Sequence, residues 1–465
     1  MFSDVGNWPL LPSKMLFKEP YITKAREAFR LALPIIIGQL GQVLMGFFDT
    51  IQIGGLGQEY IAGSGFANNI YWIVNLLGMG ILFAVSTLVS EVCGEKQEWK
   101  SVAVYRSGVK VAVTLSVVFT ALMFFFTHNI HWFRQPEIVD SLAVRYLNIV
   151  NYSTVFVFLF TACKQMLDGL GRTKVGMMVT IAGLALNVFL NWLLIYGNLG
   201  VPRMEIEGAA IATTISRVLM VVAFIGFIRW DKHLIALREK YRMWAPQPLS
   251  YIRLILKIGI PAGLQFFWEV AAFGGAQIMT GWLGVKYESA HQIAIGLASV
   301  TFMVLTGISA AGNILTGYAY GARDREDIRI SGQTVFLMTI GFETVFALLF
   351  LLGRNLLPTL YTDDAEVIAL ASSMLVYAAF FQISDGLQAV AAGALRGVQD
   401  VRIPSVIAFV SYWLVMLPAC YLLTFTFGLG LKGIWMGFII GLSVAAVMQL
   451  LRFKWIVPRL VFEEV

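Results

Sequence analysis

The sequence predicts an all-α polytopic membrane protein, with twelve transmembrane helices in two six-helix lobes related by an internal repeat. Three observations predict it. Of 465 residues, 58% are hydrophobic and only 13% charged, where a soluble domain carries about 25% charge. The apolar stretches run unbroken for the ~20 residues a helix needs to cross the hydrocarbon core, not the alternating ~10-residue strands of a membrane barrel. And the chain repeats itself at a nearly fixed offset.

The elements follow in order. Residues 1–28 are mixed and polar, with no apolar core before a small-residue cleavage site, so they read as a cytoplasmic lead-in with an interfacial helix. Spans are expected at 29–55, 61–90, 105–127, 142–168, 175–197 and 207–230, making an N-lobe over 29–230. The segment 231–252 is polar, charged and proline-containing, and reads as a cytoplasmic linker. Spans at 253–281, 290–317, 331–353, 366–392, 404–426 and 432–456 make a C-lobe over 253–456, and 457–465 is a cytoplasmic tail. Basic residues recur in alternate loops: Lys14, Lys18, Lys24 and Arg26 before the first span, Lys96 and Lys100 after the second, Arg172 and Lys174 after the fourth, Arg323 and Arg325 after the eighth. The positive-inside rule then places both termini in the cytoplasm, as an even number of spans requires.

The repeat is read from matched residues. Pro34 in LALPIIIGQL matches Pro261 in KIGIPAGLQF, and 261 − 34 = 227. Leu56-Gly57 matches Leu283-Gly284 and Tyr60 matches Tyr287 at that offset, while Gly208 matches Gly433 at 225. Two parallel halves of this kind are a common transporter plan, with substrate held between them.

Within the spans lie carboxylates: Asp49 in VLMGFFDTIQIGG, Glu269 in AGLQFFWEVAAFGG and Asp385 in FFQISDGLQAV. Each would cost on the order of 3 kcal/mol or more to hold ionised in hydrocarbon, so such residues mark ion or proton pathways. The repeat shows that they are not one equivalent set. Glu269 maps onto Gln42 and Asp49 onto Ala276, and Gln42 and Asp49 lie on one helix face about two turns apart. Asn187 and Asn191, four apart in an apolar segment, form a second polar face whose amide oxygens can ligate sodium or fix a carboxylate. Glu343 and Arg217 are also intramembrane charges, and a structural role is expected for both, by pairing with polar neighbours or snorkelling. Lys164 and Asp168 are expected at a solvated helix end.

Other classes find little support. The net charge of +6 comes from dispersed loops and not from a nucleic-acid-binding stripe. Cys93, Cys163 and Cys420 have no paired spacing, and the four histidines form no ligand motif. No nucleotide, metal or His/Asp constellation points to an enzyme, and no cofactor is expected.

Several longer blocks carry a family resemblance: MGFFDT at 45–50, ALNVFLNWLLIYGNLGVP at 185–202, EGAAIAT at 207–213, PAGLQFFWEV at 261–270, QISDGLQAVAAGALRGVQD at 382–400 and SYWLVMLPACYLL at 411–423. On these the chain resembles the multidrug and toxic compound extrusion (MATE) family in its NorM-like bacterial branch. The resemblance implies a monomeric antiporter of the bacterial inner membrane that expels cationic and amphipathic drugs against inward flow of H+ or Na+, by alternating access of two lobes, among membrane lipids and with no nucleic-acid partner. It implies that Asp49 works with Asn187, Asn191 and Thr213 in the N-lobe, and Glu269 with Asp385 in the C-lobe, either set being a Na+ site. Gln42, Tyr152, Phe267, Gln292 and Phe381 are the expected cavity-lining residues. A tyrosine found one turn before the aspartate in some relatives is Phe381 here, which removes a hydroxyl ligand from the C-lobe set. The alternative within the superfamily is a flippase of lipid-linked oligosaccharide or lipid, whose cavity would be rich in Arg.

Overall fold

A computed structural model describes residues 20–245 and 249–462. Lead-in residues 1–19, linker residues 246–248 and tail residues 463–465 lie outside the described residues. Among the described residues, twelve helices are long and apolar enough to cross a membrane. In the first half these are α1 (Pro20–Gly54), α2 (Gln58–Gly94), α3 (Glu98–His128), α4 (Glu137–Gly169), α5 (Thr173–Tyr196) and α6 (Glu205–Trp230). A short helix α7 (Lys232–Trp244) follows. The second half holds α8 (Ile252–Gly281), α9 (Val285–Gly321), α10 (Arg325–Gly353), α11 (Ala365–Gly397), α12 (Arg402–Thr426) and α13 (Leu431–Arg459). Among the described residues there is no strand. The chain is an integral membrane protein.

The repeat extends to the helix ends. α1 and α8 end at Gly54 and Gly281, and α2 and α9 begin at Gln58 and Val285 and end at Gly94 and Gly321, all 227 apart. The stop signals repeat too. After α2, Lys96 takes a left-handed φ of 60°, and the N–H groups of Lys96 and Gln97 close onto the carbonyls of Cys93 and Val92. After α9, Arg323 at φ 59° does the same with Asp324 onto Tyr320 and Ala319. These are Schellman ends, which satisfy carbonyls the helix leaves unpaired. Gly208 and Gly433 share a packing role. A Cβ on Gly208 would lie 2.7 Å from the Leu194 carbonyl, and one on Gly433 would lie 2.5 Å from the Thr424 nitrogen. Only glycine lets the sixth helix of each half close onto the backbone of the fifth, a small-residue contact typical of membrane bundles.

Packing divides the described chain into two compact units, one of residues 37–263 and the other of residues 20–36 with 264–462. The first helix of each half therefore begins in the other half's unit. The two changeover points, 36/37 and 263/264, are again 227 apart, and each falls just beyond an intrahelical proline, Pro34 or Pro261. Residues 20–28, expected as interfacial, are the first turns of α1. They are pinned in the second unit by an ion pair from Lys24 to Asp327 at 2.7 Å and a hydrogen bond from the Tyr21 hydroxyl to Gln333 at 2.7 Å. The start of α8 is held in the first unit by Tyr251, whose N–H donates to Ser107 Oγ at 3.0 Å.

Two further expectations change. The linker is partly helical: Asp231 caps α7 by accepting from the Leu234 N–H at 3.0 Å and pairs with Arg172 at 2.7 Å. Lys164 and Asp168 are not solvated. They form a buried ion pair at 2.9 Å on α4, the geometry in which one partner compensates the desolvation of the other.

Candidate functional site

The first unit gathers its polar groups from α1, α5 and α6. Asp49 is 7% exposed, and Asn187 and Asn191 are fully buried on adjacent turns of α5. Asn191 Nδ2 donates to Asp49 Oδ1, and Asn187 Nδ2 donates to Thr213 Oγ1 of α6 at 3.5 Å. The four residues singled out in the sequence thus form one cluster. Asn187 Oδ1 and Asn191 Oδ1 are buried without a hydrogen-bond partner. A carboxylate beside two unpaired amide oxygens is the hard-oxygen chemistry that suits Na+, and the carboxylate alone suits a proton. Arg217, reached through the same helix as Thr213, lies within electrostatic range of Asp49. Its guanidinium stacks over Tyr71 at 4.9 Å and donates to Ser153 Oγ at 2.5 Å. It pairs with polar neighbours as expected, and it also gives Asp49 a built-in counter-charge.

The second unit builds its cluster from α8, α11 and α12. Glu269 is 7% exposed and Asp385 6%. Gln388, one turn beyond Asp385, donates from Nε2 to Glu269 Oε1 at 3.2 Å and also faces Asp385. One amide therefore bridges the two acids. Around them Trp268 packs on Phe267, Phe409 and Trp413 with ring centroids 5.4, 5.1 and 6.1 Å apart. Tyr412 of α12 is fully buried, its hydroxyl has no partner, and it lies within electrostatic range of both Glu269 and Asp385. A buried phenol on α12 therefore lies near the acid pair, where Phe381 supplies none.

The remaining expected residues are spread out. Gln42 and Phe267 are half-buried, and Tyr152 and Gln292 are exposed. Gln292 donates to Glu288 at 3.0 Å, and Tyr152 packs on Phe124. Phe381 is buried in an aromatic core with Phe273, Trp435 and Phe438. The structural role expected for Glu343 needs correction. It neither pairs with a polar neighbour nor snorkels: it is fully buried with both carboxylate oxygens unpartnered.

Comparison with known proteins gives the family. The MatE family profile matches residues 34–193 and 261–422, beginning in each half at the proline that marks the repeat. The chain belongs to the MatE family. That makes it a transporter and not an enzyme. The multidrug resistance protein NorM of Vibrio cholerae is 33% identical over 441 residues, covering 94% of this chain and 96% of the relative. NorM of Photobacterium profundum is 32% identical over the same shares. Among solved structures, an outward-facing multidrug resistance MATE transporter superposes with a TM-score of 0.85 at 20% identity, covering 97% of this chain and 100% of that one. The eukaryotic MATE transporter AtDTX14 gives 0.84 at 17% identity, covering 95% and 99%. A transporter from Pyrococcus furiosus, described as having a binding pocket of reversed polarity, gives 0.84 at 21% identity, covering 96% and 99%. The twelve-helix MatE fold is therefore shared across long sequence distances.

Within this MatE fold, sequence reasoning missed Gln388, Tyr412 and Tyr146. Tyr146 is nearly fully buried and acts on Asp49 and Thr213. Gln388 and Tyr412 lie inside the sequence blocks that carried the resemblance, so their signal was a polar residue within an apolar run. No pattern in the chain marks Tyr146.

Proposed function

We propose that this protein is a multidrug efflux antiporter that exports cationic and amphipathic drugs from the cytoplasm in exchange for inward H+ or Na+. The observation that carries the reading is a buried carboxylate cluster in each half, each with amide groups around it and unpaired oxygens left for a cation. The pattern of basic loops supports an orientation with both termini on the cytoplasmic side of a bacterial inner membrane. The Asp49, Asn187, Asn191 and Thr213 set and the Glu269 and Asp385 pair are the two coupling sites. Buried acids attract a cationic drug, and binding of H+ or Na+ from outside neutralises the acid and favours release. Coupling follows because drug and ion prefer different states of an alternating-access cycle, and it is reciprocal. The acidic character of the second-unit cluster fits cation export better than transport of a phosphate-bearing lipid.

The test is efflux of a fluorescent organic cation from vesicles of known orientation under an imposed proton or sodium gradient. Gradient-dependent export is expected, and the gradient that drives it identifies the ion. Absence of export under both gradients, with lipid-linked cargo moving instead, overturns the reading.

A further inference from the structure

Glu343 is the buried acid that neither cluster accounts for. It lies on α10, is fully buried, and leaves both carboxylate oxygens without a hydrogen bond. Its side chain packs against Gly386 of α11, where a built Cβ would meet Glu343 Cγ at 3.0 Å, Thr339 Cγ2 at 2.8 Å and Leu305 Cδ2 at 3.0 Å. Gly386 adjoins Asp385, and Asp385 acts electrostatically on Glu343. Gln382, one turn before Asp385 and Gly386 on α11, is likewise buried with both ends of its amide unpartnered. Two polar side chains without partners therefore flank Asp385, in a region where each unsatisfied polar group is costly.

The surroundings narrow what Glu343 does. α11 presents Gly386 to it, with Asp385 within electrostatic range, and α9 brings Leu305 to the same glycine. On α9, Glu288 accepts from Gln292 and Gln277, Lys286 pairs with Glu366, and His291, whose Nδ1 is buried without a partner, packs on Trp435 and Phe438. On α10 itself, Arg329 is fourteen residues away, about 21 Å along the helix, and is paired with Glu326. Arg354, beyond the end of α10, is eleven residues on. Arg459, at the end of α13, stacks on Trp455 at 4.2 Å. No cation among the described residues compensates Glu343. At the matching position of the first half, 343 − 227 = 116, stands Ser116, whose hydroxyl closes onto the Val113 carbonyl at 2.7 Å. The matching position of the first half therefore carries no charge. Among the described residues no three His, Cys, Asp or Glu side chains come together as a metal-ligand set, so Glu343, Asp385 and Glu269 do not converge on one ion.

We propose that Glu343 is a third titrating carboxylate of the second-unit cluster, binding and releasing a proton of its own as the Glu269–Asp385 pair fills and empties. Three carboxylates in one packed half repel each other when ionised together, and their titrations are coupled. On release the Glu343 O–H bond breaks and the proton passes to water. On uptake the reverse occurs. This half then handles one cation more than the pair alone would. The proposal deepens the antiport reading and rests on it.

Two measurements test it. The first uses purified wild-type protein treated with the apolar reagent dicyclohexylcarbodiimide, which modifies protonated carboxyls, between pH 5 and 9, with mass spectrometry of the peptide containing Glu343. Modification that falls several-fold as pH rises supports the proposal. No modification of Glu343, or a level independent of pH, overturns it. The second is proton release into lightly buffered solution when tetraphenylphosphonium binds. Glu343→Gln should lower release by up to one proton per molecule, with Glu343→Asp restoring it. Release equal to wild type in Glu343→Gln overturns the proposal. Carbodiimide labelling needs no drug, so it is read even if tetraphenylphosphonium fails to bind, an outcome that would count against multidrug efflux itself.

Discussion

Gly208 offers a stability prediction whose sign follows from geometry. It lies in the first turns of α6, and a Cβ there would sit 2.7 Å from the carbonyl carbon and oxygen of Leu194 and 3.0 Å from the Ile195 nitrogen. Two effects oppose each other in Gly208→Ala. Alanine is favoured over glycine inside a helix by up to about 1 kcal/mol, whereas overpacking costs typically 1–3 kcal/mol. The obstacle is the backbone of α5, which cannot rotate away as a side chain would, so the clash wins. The net loss should be about 1–2 kcal/mol, a roughly 5- to 30-fold shift in the folded ratio. Gly226, further along the same helix, is the control. A Cβ there would meet the Trp230 ring at 3.6 Å, an ordinary contact, so Gly226→Ala should stabilise by up to about 1 kcal/mol. Denaturation in mixed micelles reads both. Because α5 carries Asn187 and Asn191 and α6 carries Thr213, Gly208→Ala should also weaken efflux. Equal shifts in the same direction for the two variants would refute the reasoning.

Further predictions concern the polar sites and the linker. Asn191→Leu distinguishes a coupling role from simple helix glue: a membrane hydrogen bond between helices averages ~0.6 kcal/mol, about threefold in affinity, whereas one to a charged group is worth about 1.5–3 kcal/mol, more than tenfold. Titration of sodium against efflux in vesicles should show the larger loss if the first unit binds Na+, and a change under threefold contradicts a ligand role. Tyr412→Phe removes a hydroxyl that bonds to nothing in the protein, so melting should stay within ~0.5 kcal/mol of wild type while the half-saturating concentration of coupling ion rises several-fold; unchanged ion dependence removes Tyr412 from the site. At Asp231, burial works against the charged form, but the hydrogen bonds from Arg172 and the Leu234 N–H and the Arg172 charge outweigh it and hold the carboxyl below its ordinary range. A depressed carboxylate stabilises above its unfolded value near 3.9 and stops doing so as pH falls through its folded value. Asp231→Ala should therefore speed hydrogen exchange over residues 232–244 at neutral pH by the ~1 kcal/mol of a lost cap, with the difference from wild type closing in acid; a difference that persists in acid would contradict this.

Much of the fold was legible because membrane helices announce themselves by length and the two halves by matched residues. Pro34 and Pro261 marked the repeat, and the structure shows that they also stand beside the points where each first helix changes unit. That exchange was not legible, since it depends on which partners Lys24 and Tyr251 find in space. Asp49, Asn187 and Asn191 were found from charge and spacing in apolar runs and Thr213 from the family resemblance, and the four do meet. Glu343 was seen but given a structural role, because sequence shows an acid in a span without showing whether a partner waits for it. Lys164 and Asp168 went the other way, since an i, i+4 pair near a helix end looks solvated until packing buries it.

The account rests on the buried acids binding the coupling cation, and the most direct measurement is transport by Glu269→Gln and Asp385→Asn in vesicles. Each amide keeps the shape and the contact with Gln388 while removing the charge. Wild-type yield and melting, with loss of gradient-driven export of a fluorescent cation, is the predicted result. Export at the wild-type rate by both well-folded amide variants would contradict the account.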